Sequence, residues 1–164
     1  MCSSSYALFV DLDECLRVIR SFQEEGVDYV LIGGVAVNLH GIIRATESVD
    51  FFISPSASNI ERLKKALKKL WNDPDIDTFS AEDFAGNYPT LRYGPPEGDM
   101  VVDFLARLGT KHRFEDLAFE DLSIGGETVR VATIEQLIKM KQDTLRPIDR
   151  ADVEALKRRI REDS

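Results

Sequence analysis

Apolar positions along this chain recur with two different periods, and their alternation sets the order of elements. Residues 11–25 place Leu12, Leu16, Ile19 and Phe22 three or four apart, one apolar face of a helix, and Gly26 supplies the usual stop. Residues 27–32 then read as a short buried strand, followed by Gly33-Gly34 and a short helix over 35–40. A second strand covers 48–53. Ser56 is placed to cap a helix with Ile60, Leu63, Leu67 and Leu70 on its inner face and Lys64, Lys65, Lys68 and Lys69 outside. Residues 73–87, rich in acids and turn formers, read as an irregular surface segment. Strands over 90–93 and 100–105 are expected to pair antiparallel through Gly94-Pro95-Pro96-Glu97-Gly98. A hairpin at Gly125-Gly126 joins 122–124 to 128–131. Thr133 with Gln136 forms a capping box for a helix to about 143, Pro147 breaks it, and 149–161 is the last helix. The expected fold class is α/β (α+β): a mixed sheet of about five strands with helices packed on it. With no repeat or linker, the 164 residues read as one domain with its core over about 27–156.

Composition narrows the class. Hydrophobic residues make up 43% and charged residues 30%, the balance of a soluble globular protein. No apolar run approaches the roughly 20 residues of a membrane helix, so no membrane partner is expected. Met1-Cys2-Ser3-Ser4-Ser5 does not resemble a secretory leader. Cys2 and Cys15 are too few for a disulfide framework, and two histidines argue against zinc, so a reducing, cytoplasmic setting is expected. A net charge of −8 disfavours broad gripping of duplex nucleic acid. The basic run Lys157-Arg158-Arg159-Ile160-Arg161 is a candidate local basic groove, with a solvated face on the terminal helix the commoner reading.

The chemistry-bearing stretch is Leu31-Ile32-Gly33-Gly34-Val35-Ala36, followed by Arg44-Ala45-Thr46-Glu47-Ser48-Val49-Asp50-Phe51-Phe52-Ile53. A strand that enters two glycines and then a helix lets backbone N–H groups approach phosphate; a tight packing turn explains the same glycines equally well. Asp50 is an acid among β-branched and aromatic neighbours on a strand, and Asp103 repeats the situation in Met100-Val101-Val102-Asp103-Phe104-Leu105. A buried carboxylate needs a partner. Adjacent strands would bring both acids to one magnesium ion; a salt bridge to an arginine such as Arg44 or Arg92 is the alternative for each.

In order and spacing, Gly33-Gly34, Arg44-x-Thr46-x-Ser48-Val49-Asp50, Asp103, Leu137-Ile138-x-x-Lys141 and Arg146-Pro147-x-Asp149-x-x-Asp152 together resemble the minimal nucleotidyltransferases. These have the polymerase-beta-like nucleotidyltransferase fold, and the resemblance is to their abortive-infection toxin type (AbiEii-like). It implies an enzyme that binds a nucleoside triphosphate (NTP), such as ATP, with Mg2+ and transfers a nucleoside monophosphate to a hydroxyl of a protein, a tRNA end or an antibiotic. A cognate antitoxin is an implied partner. By the same resemblance Gly33 and Gly34 would contact the triphosphate. Asp50 would hold catalytic magnesium, and Asp103 would ligate the metal that activates the attacking hydroxyl and take its proton. Lys141 would meet the phosphates or an acid of the site, while Arg44 and Thr46 would shape the turn into the metal strand or reach a phosphate. Asp149 and Asp152 would fix the last helix.

The family's strand carries two acids at i and i+2, and here Ser48 stands in the first position. Side chains alternate along a strand, so Glu47 would need a register slip or a bulge to replace it. A serine hydroxyl can ligate magnesium but brings no charge, so weaker metal binding and slowed or absent transfer are expected. An inactive module that binds nucleotide or docks a partner is the alternative reading. Among the other residues, His40 is expected to pack or bond backbone and His112 to lie at the surface. Trp71, Phe79, Tyr88 and Tyr93 are expected to fill core or patch the irregular segment, and Cys15 has no neighbouring base.

Overall fold

The computed structural model describes residues 10–86, 88–142 and 146–163; the sequence readings at Met1–Ser5, Cys2, Asn87 and Asp143 fall outside them. Helix α1 (Leu12–Glu25) starts at Asp11, whose carboxylate accepts from the backbone of Asp13 and Glu14, and ends at Gly26 in the left-handed region, φ 69°. Strand β1 (Tyr29–Ile32) runs directly into α2 (Gly33–Leu39), and β2 (Val49–Ile53) precedes α3 (Ala57–Lys68), capped by Ser56 through the Asn59 N–H. Strands β3 (Thr90–Tyr93) and β4 (Val102–Leu105) pair antiparallel as expected.

A short ribbon of β5 (Arg107–Leu108) and β6 (His112–Arg113) follows, which hydrophobic periodicity over two-residue strands cannot reveal. The hairpin β7 (Phe119–Ile124) and β8 (Glu127–Ala132) is longer than its apolar pattern suggests, because β7 is largely exposed and outer residues pair without burial. Helix α4 (Ile134–Lys141) is capped by Thr133, but Gln136 Oε1 accepts from Ala118 N rather than closing a capping box. Pro147 opens α5 (Pro147–Asp163), a position where its missing N–H costs nothing.

The main sheet has six strands, one more than expected, in the order β3-β4-β2-β1-β8-β7. Strands β2 and β4 are parallel, as are β1 and β8; the other neighbours are antiparallel. Alternation sorts the two faces. Phe51 and Phe104 are register partners, and Phe22 of α1 packs edge-on against Phe51 at 4.9 Å between centroids. Residues one position away along each strand face the other side of the sheet. That puts Asp50 and Asp103 on the face away from α1. Helix α1 also packs on α3, and α4 on α5. No helix among the described residues is long and apolar enough to cross a membrane.

Candidate active site

Asp50 and Asp103 are direct register partners on the parallel pair β2–β4. Gly33 sits beside them at the end of β1, where the chain turns into α2 with φ 71°. A Cβ at Gly33 would collide with the Asp50 carboxylate, and one at Gly34 with the side chains of Arg44 and Thr46. The two glycines therefore let β2 and the 44–48 segment close against the start of α2. This close approach is what the packing-turn reading of the glycines requires.

Around the acid pair lies an open cleft of about 440 Å³. Gly33, Gly34, Arg44, Thr46, Ser48, Asp50, Asp103 and Lys141 all line it, so residues spread over more than a hundred positions of sequence converge there. Ser48 Oγ donates to Asp50 Oδ1 at 2.8 Å, and Thr46 Oγ1 donates to the Ser48 carbonyl at 3.2 Å. Burial, opposed by that hydrogen bond and reinforced by the Asp103 charge, pushes the Asp50 carboxyl up to about 6.

Asp103 satisfies the salt-bridge alternative as well. Arg92, its register partner on β3, donates Nε to Oδ1 at 2.9 Å and Nη2 to Oδ2 at 3.0 Å. This is a two-point fork on a side chain only 12% exposed. The Arg92 side chain itself is 71% exposed, so it can leave without disturbing the core.

The floor of the cleft is an ionic network. Lys141 Nζ lies 3.2 Å from Asp149 and 3.1 Å from Asp152, Arg146 forks onto Asp149, and Arg44 Nε pairs with Asp152 at 3.3 Å. Asp149 and Asp152 are buried. Lys141 and Arg44 thus bind α4 and the 44–48 segment to α5. Arg146, exposed at the cleft edge, carried no separate signal in the sequence beyond its place in the Arg-Pro segment.

Glu47 also lines the cleft. The strand starts only at Val49, so Glu47 occupies a bend where alternation does not hold, and it is exposed. No group of three or more Asp, Glu, His or Cys side chains close enough to hold one ion occurs among the described residues. The donor set at the acid pair is two carboxylates and one hydroxyl, all hard oxygens, which suits a single magnesium ion completed by water and phosphate oxygens. It does not match three carboxylates around two ions.

The remaining candidates take structural places. His40 Nε2 bonds the Ala132 carbonyl at 2.8 Å. Trp71, Phe79 and Tyr93 pack together, and Cys15 is buried with its thiol pushed up to about 12 by desolvation. Tyr88 departs from its expected packing and is 74% exposed; His112 is half-buried.

Among the solved structures similar in shape to the chain are three with TM-scores above 0.5. They are the lincosamide antibiotic adenylyltransferase LnuA with lincomycin bound (TM-score 0.58, 18% identity, covering 91% of this chain and 98% of that one), an antigenic nucleotidyltransferase-like protein from Paracoccidioides brasiliensis (0.54, 17%, 87% and 74%), and ANT(2")-Ia in complex with adenylyl-2"-tobramycin (0.53, 12%, 88% and 85%). No protein-family profile and no curated protein matches the sequence. The protein has the nucleotidyltransferase fold.

Proposed function

We propose that the protein is a magnesium-dependent nucleotidyltransferase that moves a nucleoside monophosphate from an NTP to a hydroxyl acceptor. One observation carries this reading: Asp50 and Asp103 stand in register on adjacent parallel strands, against Gly33, inside an open cleft. Magnesium bound there would neutralise charge that builds on the phosphoryl oxygens. Asp50 and Asp103 would hold it, with Ser48 as a neutral third donor. Gly33 and Gly34 would face the phosphate chain, and Thr46 would keep Ser48 in place. The acceptor oxygen forms its bond to the α-phosphorus as the bond to pyrophosphate breaks. The hydroxyl proton passes to a carboxylate oxygen of Asp103 after Arg92 releases it. Lys141 and Arg44 would hold the floor rigid through Asp149 and Asp152.

Two of these similar structures hold antibiotic-type ligands: the lincosamide antibiotic adenylyltransferase LnuA has lincomycin bound, and ANT(2")-Ia is in complex with adenylyl-2"-tobramycin. This favours a small polyhydroxyl acceptor over a protein or tRNA end. The Lys141 to Asp152 spacing favours placing the chain with the AbiEii-like proteins, where a cognate antitoxin would be the partner and the cytoplasm the setting. Incubation with labelled ATP, CTP or GTP, magnesium and a panel of acceptors tests transfer. Labelled acceptor from the wild type or from Ser48→Asp is the expected result; no product from either removes the catalytic reading.

A second reading has its own support. Ser48 ties up one oxygen of Asp50 and Arg92 both oxygens of Asp103, which describes a site held closed by its own side chains. Such a protein would bind nucleotide or a partner without turnover. Calorimetry separates the two: tight NTP binding with no product in either variant supports the binding module.

A further inference from the structure

At the far end of β2 and β4 from the acid pair, a second cleft of about 330 Å³ opens between Pro55 and the β5–β6 ribbon. Arg107, Arg113, Phe114 and Glu115 contribute to its wall, and it shares no residue with the Asp50 cleft. From Asp50 to Ile53 alone the strand advances about 10 Å, so a triphosphate seated at Gly33 does not extend into it.

Register sets Arg107 directly opposite Arg113. Directly opposed residues on paired strands hold their Cβ atoms about 5 Å apart, and like charges there repel. Neither guanidinium has an ion pair among the described residues, and Arg107 Nε is buried without any hydrogen-bond partner. Glu115, the one carboxylate among the described residues of the wall, forms no ion pair with either arginine. An unmet buried donor on a charged group is costly, and a chain of net charge −8 has acids to spare for neutralising two arginines. Instead the pair is left facing a cavity. Two adjacent guanidinium forks supply the planar, multi-donor geometry that grips phosphate oxygens. Half-buried Phe114 beside them offers an apolar wall to whatever carries that phosphate.

We propose that the Arg107–Arg113 cleft binds a phosphate group, at a site separate from the acid pair. A small phosphomonoester or the backbone of single-stranded RNA would present the same chemistry. The test is titration of the whole chain with inorganic phosphate in oxyanion-free buffer, followed by calorimetry and by phosphorus NMR. The R107Q/R113Q double variant is expected to bind phosphate at least about tenfold more weakly than the wild type. In the same buffer it should melt no earlier, since a like-charge pair has been removed; if it does melt earlier, the two single variants carry the comparison. Phosphate binding of undiminished strength in the double variant, or none in the wild type, overturns the proposal. Repeating the titration with a short single-stranded RNA and with a sugar phosphate assigns the source, according to which of the two loses affinity in R107Q/R113Q.

Discussion

Ser48, the residue just before β2, donates its hydroxyl to Asp50 two positions on, 2.8 Å from oxygen to oxygen, where the proposed magnesium role would be served better by a second carboxylate. The hydroxyl steadies the Asp50 charge without adding to it, so under the proposed magnesium role the metal-free protein gains order at the cost of metal affinity. Ser48→Asp should reverse both effects. In the absence of magnesium the variant should melt below the wild type, because a second carboxylate then crowds the half-buried Asp50. With magnesium it should be stabilised more than the wild type, and tenfold tighter binding corresponds to about 1.4 kcal/mol at saturating metal. Calorimetric melts with and without magnesium decide it, and equal magnesium shifts in the two proteins would rule out a metal role for this position.

Asp50 titrates near 6 in the folded chain, above its ordinary value of 3.8, chiefly because it is desolvated. The folded state therefore holds its proton more tightly than the unfolded state does. Stability linked to this group is fully present below about pH 4 and is lost as pH rises through about 6. Asp50→Asn removes that loss. In metal-free buffer the variant should be more stable than the wild type by of order 2 kcal/mol at pH 8, and by nothing at pH 4. Denaturant melts across pH 4–8 check the slope; a constant difference would show that the carboxyl is not held in its acid form by the fold.

Much of this site was legible in the sequence because each carrier interrupts a pattern. Asp50 and Asp103 are single acids inside apolar strands, and Gly33-Gly34 breaks a strand into a helix; Ser48 stands out only against the two-acid spacing that the family resemblance implies. The register that sets Asp50 opposite Asp103 was not legible, since pairing depends on which strands become neighbours. Arg92 could be named only as one of two candidate arginines, because an exposed arginine on an edge strand carries no periodic signal. The β5–β6 ribbon was missed altogether: two residues per strand are too few to show alternation.

Arg92 forks onto Asp103 from the exposed edge strand β3, and magnesium would compete for the same oxygens. Arg92→Ala should lower the melting temperature of the metal-free protein, leaving the Asp103 carboxylate buried without its partner. It should also tighten magnesium binding, so that added magnesium restores more stability to the variant than to the wild type. Isothermal titration with magnesium reads the affinity directly, and unchanged affinity would mean the fork does not guard the metal position.

Gly33 and Gly126 share a positive φ but not a neighbourhood. At Gly126, on the β7–β8 turn, a Cβ meets nothing within 4 Å, so Gly126→Ala should cost only the backbone term of about 1–2 kcal/mol. At Gly33 the same methyl enters the Asp50 carboxylate, so Gly33→Ala should cost more, at least about 3 kcal/mol, and abolish nucleotide binding. Urea melts of both variants give the comparison; equal losses would show that the close approach of β2 to Gly33 is not needed for the fold.

Lys141 can be a phosphate ligand or a keystone, and its surroundings favour the second role. Its Nζ lies within 3.2 Å of Asp149 and 3.1 Å of Asp152, its side chain is 11% exposed, and both acids are buried on α5. A triphosphate would have to draw the ammonium away from two buried carboxylates that it bridges at once. Lys141→Met should therefore act first on stability, by about 3 kcal/mol, because two buried acids then lose the cation they share. Lys141→Arg, which keeps the charge in a bulkier fork, should recover part of that loss. NTP affinity measured well below the melting temperature should fall less than tenfold in the arginine variant. If instead Lys141→Met keeps its melting temperature and loses NTP binding, the lysine points to phosphate in solution and the floor of the cleft is held by the arginines.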